Sequence, residues 1–381
     1  MHPSSIISYY PSYSILDGIL SQSNYNEMNI YLDVKNIAQT IFMEHAIVNI
    51  VESSLKTKRV DTSIFASMIS FLAFHKLYSI KRQNLKIKYF LFFETGKSFY
   101  HLNVDKKYKV NRRIDDLYGL EREKREYFFE IVQRNLKFME SALNRIPDIK
   151  VIRMENLEAD FIPYYLITRN LVDRRPNVAH VIYSNDHDLY QDVMDDVYLF
   201  SKSAQTKKVI KKGEVFKNYL KENIPDEYLS LVMSVVGDPG DSVDGIKGIG
   251  GKTVAKIIDQ LVTMVDGMES LYENVLNDKP IFDLSKYTEP NKYIDLIIQE
   301  EKENKRISRN MKLVSFEVLS RFLDSPIKTE MIDKRKYIHE ILNNNSLTTL
   351  EPMKEVMNKL NIFLQEDSLE TLYFKKEEPI C

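Results

Sequence analysis

Short apolar runs that end in acidic residues, or lead directly to them, recur in the first half of the chain and constrain its fold more than any other feature. The runs occupy residues 28–33, 87–94, 149–154 and 179–183. Each has the length and composition of a buried β-strand. Segments with helical character lie between them, at residues 62–77, 122–144 and 160–171. This alternation predicts an α/β fold in which helices cover a parallel sheet.

Acidic residues follow the predicted strands at their C-terminal ends, where open parallel sheets bind their ligands. A further close pair of aspartates occurs later in the chain. The candidate metal ligands are Asp33, Glu94, Glu158, Asp160, Asp186, Asp188, Asp238 and Asp241. We expect these carboxylates to converge on one crevice.

Metal binding explains this set of carboxylates better than helix capping does. An isolated aspartate at a strand end is usually a helix cap, but three closely spaced pairs are hard to explain in that way. Two like charges about 4 Å apart repel by roughly 4 kcal/mol at an effective dielectric constant near 20, so a crowded carboxylate pocket favours bound cations. Ligands that are all oxygen favour Mg²⁺ or Mn²⁺ over Zn²⁺. Two such ions can activate water and stabilise the leaving oxygen of a phosphodiester, which predicts phosphoryl chemistry.

The composition excludes several other classes of protein. The 381-residue chain has one cysteine, Cys381, so it has no disulfide framework, cysteine zinc site or thiol nucleophile within the fold. It has no long uncharged apolar stretch and no basic and apolar regions of a signal peptide, so we expect a cytoplasmic protein without a membrane partner. For a viral protein, this means the host cytoplasm or nucleoid. Lys plus Arg (53) balance Asp plus Glu (55), so the overall charge does not indicate a nucleic-acid partner.

A glycine-rich segment, residues 235–258, runs into a predicted helix. Its Gly-Lys-Thr triplet does not belong to a phosphate-binding P-loop, because such a loop needs glycine where Ile246 stands and a preceding apolar strand. Its candidate turn residues are Gly248, Gly250 and Gly251. If they adopt positive φ, the backbone can approach a phosphate beside the following helix N-terminus and Lys252. The alternative is an ordinary glycine turn between helices.

The order of these motifs resembles that of the bacteriophage flap endonucleases and of the 5′-nuclease domain of bacterial DNA polymerase I, over about residues 29–319. The most specific part is Val-Gly-Asp-Pro-Gly-Asp-Ser-Val-Asp-Gly-Ile-Lys-Gly-Ile-Gly-Gly-Lys-Thr, residues 236–253. It is similar to the family's two ligand aspartates followed by its helix-three-turn-helix motif. Further segments that resemble family motifs are Glu-Thr-Gly-Lys-Ser-Phe-Tyr (94–100), Tyr-Lys-Val-Asn-Arg-Arg (108–113), Leu-Glu-Ala-Asp (157–160) and Ser-Asn-Asp-His-Asp-Leu-Tyr-Gln (184–191).

The resemblance implies a PIN-like α/β 5′-nuclease domain with a parallel sheet, a helical arch at about residues 106–140 and a helix-three-turn-helix DNA-binding region. It implies that the acids bind Mg²⁺ or Mn²⁺, as two ions, and that Lys109 and Arg112 contact the scissile phosphate. The residues that would bind nucleic acid are Lys97, Gly248, Gly250 and Lys252. A K⁺ ion at the helix-three-turn-helix is also implied. The implied partner is DNA with a 5′ flap, a nick or an RNA primer, bound by a monomer. Taken alone, the basic run around Lys109 would equally suit a solvated surface.

Two departures from the family pattern bear on the metal site. Phe161 stands where the family has the second aspartate of its Glu-Ala-Asp-Asp motif, and Glu94 stands where it has aspartate. The number of bound ions therefore stays open. We divide the chain into a nuclease domain at residues 1–236, a DNA-binding region at 237–330 and a C-terminal extension of unknown role at 331–381.

Three functions are compatible with these features. The leading hypothesis is a metal-dependent, structure-specific 5′ nuclease that cuts flaps, nicked duplexes or RNA primers during replication or repair. The second is a nuclease-like protein that binds branched DNA without cutting it, since Phe161 removes a charge from the site. The third is a PIN-like ribonuclease acting on single-stranded RNA, against which the duplex-binding motif at residues 236–253 argues.

Overall fold

The computed structural model describes residues 11–34, 63–83, 85–95, 98–109, 148–155, 157–202 and 207–325, together with isolated positions between 136 and 146. Several sequence predictions lie outside these residues. They concern Lys97, Arg112, most of the arch segment and the C-terminal extension. The backbone of Glu94 is described, but its side chain is not.

A six-stranded sheet forms the centre of the molecule, in the order β3-β2-β1-β4-β5-β6. The strands are β1 (Glu27–Asp33), β2 (Lys86–Thr95), β3 (Ile149–Glu155), β4 (Val178–Tyr183), β5 (Val197–Lys202) and β6 (Lys207–Ile210). Neighbouring strands from β3 to β5 are parallel, and β6 pairs antiparallel with β5. The predicted α/β fold is confirmed, because four apolar runs of the sequence form four adjacent parallel strands.

The register of the sheet brings the ends of the central strands to one edge. Asp33 at the end of β1 lies opposite Phe92 of β2, and Leu32 lies opposite Tyr183 at the end of β4. Because parallel strands share a direction, the residues that follow β1, β3 and β4 emerge on the same side. This edge carries the candidate site.

Helices cover the sheet and form a second layer after residue 228. They are α1 (Tyr13–Leu20), α2 (Ser63–Lys81), α3 (Phe99–Val104), α4 (Phe161–Thr168), α5 (Val215–Tyr219), α6 (Leu229–Val236), α7 (Gly251–Met264), α8 (Gly267–Leu276), α9 (Lys292–Asn304), α10 (Arg306–Val314) and α11 (Phe316–Asp324). A two-stranded hairpin, β7 (Gly237–Asp238) and β8 (Val243–Asp244), follows α6. Among the helices described, none combines the length and apolar character that a membrane crossing requires.

Local side-chain chemistry sets the ends of several helices. Ser315 accepts a hydrogen bond from the Val318 amide and so caps the N-terminus of α11. The predicted helix at residues 160–171 is shorter in the structure and ends at Thr168. Asn170 has φ 52°, the left-handed conformation that ends helices. The predicted helix at residues 62–77 is longer in the structure and extends to Lys81.

Two hydrophobic clusters pack against opposite faces of the sheet. Along β1, Tyr31 belongs to the first cluster, and Ile30 and Leu32 belong to the second, as strand periodicity requires. The second cluster includes buried residues of α1 and α2. The first cluster continues without a break from the sheet face through α4 and α6 into α7, α9, α10 and α11. Residues on both sides of position 237 therefore share one core.

Candidate active site

Acidic residues reach the site from three neighbouring segments of the sheet. Asp33 is the last residue of β1, and Glu158 and Asp160 lie in the turn that joins β3 to α4. Asp186 and Asp188 lie in the turn after β4, where the Asp186 carboxylate accepts a hydrogen bond from the Asp188 amide at 3.2 Å. The structure therefore brings these predicted residues to one edge.

The hairpin of β7 and β8 delivers two further aspartates from the other side of the crevice. The Asp238 carboxylate accepts a hydrogen bond from the Gly240 amide at 2.8 Å, and Asp241 follows in a short 3₁₀ turn. The hairpin requires the backbones at Gly237 and Gly245 to lie very close together, which only residues without a side chain allow. A Cβ on Gly245 would lie 1.9 Å from the Val236 carbonyl oxygen, and Gly237 also has φ +81°.

The buried side chain of Asn310, on α10, fixes this hairpin to the helical layer. Its amide nitrogen donates to the carbonyl oxygens of Ser234 at 2.8 Å and of Asp244 at 2.9 Å. One side chain therefore joins the end of α6, strand β8 and α10. The contact therefore ties the hairpin that carries the two aspartates to α6 and α10.

The carboxylates from the two sides meet in a small volume. Asp188, Asp238 and Asp241 each offer an oxygen, and these oxygens all lie within 4.8 Å of one another. Burial raises the pKa of Asp188 well above its usual value, and the charges of Asp186 and Asp160 raise it further. The site therefore places several negative charges in a position shielded from water.

Asp160 lies on the α4 side of the same charge cluster. Burial raises its pKa well above the usual value, and the charges of Glu158, Asp186 and Asp33 add to this, while Lys109 opposes it. Asp160 is the N-cap residue of α4 but makes no side-chain capping bond. Its Oδ1 atom is buried and has no hydrogen-bond partner among the residues described. The capping explanation fails for this residue, and a cation is the fitting partner.

Lys109 lies between the two groups of acids. Its Nζ is 2.5 Å from Oε1 of Glu158 and 3.1 Å from Oδ2 of Asp241. Its backbone amide donates to the Asp241 carbonyl oxygen at 2.9 Å, and its φ is 56°. Lys109 is half-buried, unlike the exposed Lys106 and Lys107. The solvated-surface interpretation is therefore wrong for Lys109.

Tyr108 is a site residue that sequence reasoning did not assign. Its hydroxyl oxygen lies 2.9 Å from both Glu158 Oε2 and Asp241 Oδ2, which share its single proton in a bifurcated hydrogen bond. Burial raises its pKa well above the usual value, and Glu158 and Asp241 raise it further, so the hydroxyl keeps its proton and remains a donor. The signal available in the sequence was its place directly before Lys109.

His101 supports Tyr108 from behind and was also missed. Their rings stack with centroids 4.6 Å apart, and His101 Nδ1 lies 2.6 Å from Ser98 Oγ. Burial lowers the pKa of His101 to about 4, so the ring is neutral at pH 7. No pattern in the sequence pointed to His101, because its role depends on a contact between α3 and the following turn.

The residues present suit a hard divalent cation. All the candidate ligands are carboxylate oxygens, which Mg²⁺ and Mn²⁺ prefer. The raised pKa values of Asp160, Asp188 and Asp238 have burial as their first cause and neighbouring carboxylates among the others. Charges arranged in this way are stabilised by a cation.

The two departures from the family motifs have different outcomes. Phe161 is a core residue that packs against Tyr165 and Phe316, so it contributes no ligand. Glu94 is the second-last residue of β2 and lies opposite Met154. Its side chain lies outside the described residues, so its predicted role stays a prediction.

The glycine-rich loop lies on the surface after β8. Gly248 has φ +86°, but Gly250 is extended at φ −110° and Gly251 begins α7, so the expectation of positive φ is wrong for these two. Gly250 is instead the N-cap of α7, and a Cβ on Gly251 would lie 3.0 Å from Leu220. Gly248, Gly250 and Lys252 are exposed. The loop, the helix N-terminus and the lysine are thus accessible to a phosphate backbone.

The fold and the site together define an α/β architecture with a carboxylate cluster at the carboxyl edge of its sheet. Among solved structures, the chain is similar to the D15 flap endonuclease of bacteriophage T5 in a pseudo-enzyme–product complex with DNA and metal ions, with a TM-score of 0.56 and 20% identity, covering 84% of this chain and 100% of that one. It is also similar to the T5 D15 protein crystallised with metal ions, with a TM-score of 0.55 and 19% identity over 83% of this chain and 100% of that chain.

A third similar structure is the T5 5′-exonuclease with bound zinc ions, with a TM-score of 0.55 and 19% identity, covering 83% of this chain and 99% of that one. No protein-family model and no curated protein sequence matches the chain. The resemblance to flap endonucleases that the motifs indicated is confirmed at the level of the fold.

Proposed function

We propose that this protein is a divalent-metal-dependent, structure-specific 5′ nuclease that hydrolyses phosphodiesters in DNA with a 5′ flap, a nick or an RNA primer. The observation that carries the proposal is the convergence of acids from the sheet edge and from the β7–β8 hairpin. The oxygens of Asp188, Asp238 and Asp241 approach within 4.8 Å, and Lys109 joins Glu158 to Asp241. The similar T5 structures contain metal ions, and one contains DNA.

The carboxylates would hold one or two Mg²⁺ or Mn²⁺ ions. Asp188, Asp238 and Asp241 form one group of close oxygens, and the other candidate ligands with described side chains are Asp33, Glu158, Asp160 and Asp186. When bound, such ions act as Lewis acids that activate water and stabilise the leaving oxygen of a phosphodiester. The protein's own contribution is to hold its oxygens in a fixed, buried arrangement before the substrate arrives.

Among the residues that the structure describes, Lys109 is well placed to hold the scissile phosphate. Its ammonium group balances the carboxylates in the structure described. On binding DNA, we propose that it turns towards the phosphate and offsets the negative charge that builds in the transition state. Its backbone remains fixed by the bond to the Asp241 carbonyl oxygen.

The exposed loop and α7 would bind the duplex through its backbone. Gly248 lets the chain turn, and the N-terminus of α7 offers amide groups. Lys247, Lys252 and Lys256 are all exposed along the same segment. Contacts of this kind do not depend on sequence, and they weaken as salt concentration rises.

Cleavage of 5′-labelled flap, nicked and RNA-primer substrates with Mg²⁺ or Mn²⁺ tests the proposal. Asp186→Asn should lower the rate by more than about 100-fold, because changes even in the outer shell of a metal site commonly cost 10- to 100-fold. Asp195→Asn is the matched control, because Asp195 has a side chain that is 84% exposed and pairs with Lys212. Equal rates in Asp186→Asn and wild type would overturn the site assignment.

A second function has one specific observation in its favour. Phe161 places a buried aromatic ring where the family motif has a carboxylate. A protein that recognises branched DNA without cutting it would show salt-sensitive binding to the same substrates and no products with any divalent ion. That combination of results would replace the nuclease proposal.

A further inference from the structure

His187 is an exposed ring beside the carboxylate cluster. Among the phenylalanine, tyrosine and histidine side chains whose exposure the structure describes, His187 is the only one that is exposed, the others being buried or half-buried. It stands in the turn after β4, between Asp186 and Asp188. A planar ring that remains open to solvent at this point is therefore unusual for this molecule.

Two tyrosines hold the His187 ring in place. Its centroid lies 5.3 Å from that of Tyr190 in a stacked arrangement with an interplanar angle of 29°, and 5.7 Å from that of Tyr219 in an edge arrangement. Tyr190 and Tyr219 also contact each other edge to face, with centroids 6.1 Å apart. We call these three rings the aromatic shelf. Since Tyr190 is buried, the shelf has a rigid base and one exposed member.

The aromatic shelf borders the candidate metal ligands. Asp188 lies next to His187 in the chain, and the charges of Asp238 and Asp188 both raise the pKa of Tyr219, after the larger effect of burial. Tyr219 ends α5, so the shelf joins the turn after β4 to a second element. A phosphodiester held at the carboxylates would have its own nucleotides beside these rings.

We propose that the aromatic shelf stacks an unpaired nucleobase next to the phosphodiester that is cut. The inference rests on the proposed nuclease function and adds a substrate contact to the same site. An unpaired base has two open faces, and stacking on an aromatic or imidazole ring is favourable for every base, so it would add affinity without sequence preference. The ligand is therefore the base of a nucleotide flanking the scissile phosphate, in a single-stranded or frayed state.

Abasic substitution in the DNA isolates this contact. Two flap substrates would carry an abasic nucleotide on the 5′ or the 3′ side of the scissile phosphate, and kcat/KM would be compared with that of the intact flap. For the wild-type protein, kcat/KM should be at least about fivefold lower with one of the abasic flaps than with the intact flap, which is the lower end of measured base-stacking effects. For His187→Ala, kcat/KM with the intact flap should already be lower than that of wild type by the same factor. It should not fall further with that abasic flap.

Two variants separate stacking from general structure. His187→Phe keeps a planar ring and should restore the difference between intact and abasic flaps. Tyr293→Ala removes a half-buried ring on α9 and should leave that difference as in wild type. The shelf is refuted if His187→Ala retains the full wild-type penalty for the abasic nucleotide.

A binding measurement keeps this inference separate from the proposed function. A 2-aminopurine base would replace the flanking base, and its fluorescence would be read with Ca²⁺ in place of Mg²⁺. Quenching in wild type and in His187→Phe, but not in His187→Ala, supports the shelf even if no substrate is cut. Equal fluorescence of bound DNA in wild type and His187→Ala overturns it, even if cleavage proceeds normally.

Discussion

The Tyr108 hydroxyl contacts two candidate metal ligands at once, Glu158 and Asp241, each at 2.9 Å. The two carboxylates share the single proton of this hydroxyl, and a hydrogen bond to a charged group contributes about 1.5–3 kcal/mol. Tyr108→Phe removes this shared hydrogen bond while keeping the ring that stacks on His101. We expect at least roughly tenfold slower cleavage at limiting Mg²⁺, with part of the loss recovered at high Mg²⁺.

Tyr25→Phe is the control for this prediction. Tyr25 is a half-buried tyrosine, whereas Tyr108 is buried, and the Tyr25 hydroxyl pairs with that of Tyr198 at 3.2 Å, at the opposite end of the strands. It should cut like wild type at every Mg²⁺ concentration. Identical Mg²⁺ dependence in Tyr108→Phe and Tyr25→Phe would mean that Tyr108 does not position the ligands.

The carboxylate Asp160 makes the metal-free protein sensitive to pH. Burial raises its folded-state pKa well above 3.8, so the folded protein holds this proton more tightly than the unfolded chain does. The contribution of Asp160 to stability is therefore fully present below the unfolded-state pKa and is lost as pH rises through the folded-state pKa.

Replacing Asp160 with asparagine tests this effect. In chelator at pH 7.5, Asp160→Asn should melt at a higher temperature than wild type, and the two should converge as the pH is lowered towards 4. Thermal melts at several pH values give the comparison, with Asp195→Asn expected to follow wild type. A lower melting temperature for Asp160→Asn at pH 7.5 would show that this carboxylate is stabilised by the metal-free fold.

Single residues also show what the sequence does and does not predict. The acids were predictable because each directly follows an apolar strand or forms a close pair with another acid. His101 was not, because a histidine near a turn has no distinctive pattern, and the only signal for Tyr108 was its place directly before Lys109. Their roles arise only when the turn after α3 contacts Glu158 and Asp241 and His101 stacks on Tyr108.

The β7–β8 hairpin is the element on which the second half of the site depends. Gly245→Ala would place a methyl group 1.9 Å from the Val236 carbonyl oxygen, so the backbone of the hairpin must move. We expect a loss of about 1–3 kcal/mol or more of stability, as in overpacked cores. Cleavage should fall as well, since Asp238 and Asp241 lie in the hairpin.

Gly18→Ala offers a matched comparison for Gly245→Ala. Gly18 lies within α1, and a Cβ there has no neighbour within 4 Å, so alanine should stabilise the helix by about 0.5–1 kcal/mol. Chemical denaturation of both variants measures the difference. Equal stability of Gly245→Ala and wild type would contradict the close crossing of the two glycines.

Strand existence was easier to predict than helix ends or turn conformations. The strand at residues 179–183 gains one residue, Val178, whereas the helix predicted at residues 160–171 loses its last turn to the left-handed Asn170. Gly250 and Gly251 show the same limit, because glycine permits positive φ without requiring it. The hydrophobic periodicity of a sequence indicates which residues are buried. Burial determines where strands form more directly than it determines where helices end or which conformation a turn adopts.

At the scale of the whole molecule, one core joins the sheet to the helical layer. The cluster runs from Tyr31 in β1 to Leu323 in α11, and Asn310 fixes α10 to the hairpin. The predicted domain boundary at residue 237 rests on a change in amino-acid composition along the chain. Composition does not indicate which elements share a core. The candidate ligands come from both sides of that division, so the shared core fixes their relative positions.

The carboxylates of Asp188, Asp238 and Asp241 and of the turn before α4 are proposed to form a divalent metal centre. Direct measurement of Mn²⁺ binding tests this proposal without requiring cleavage. Titration of wild type, Asp188→Asn and Asp195→Asn, followed by calorimetry or by the resonance of unbound Mn²⁺, gives the affinities. We expect Asp188→Asn to bind at least about tenfold more weakly than wild type and Asp195→Asn to match wild type. Equal Mn²⁺ affinity in all three proteins would contradict the claim.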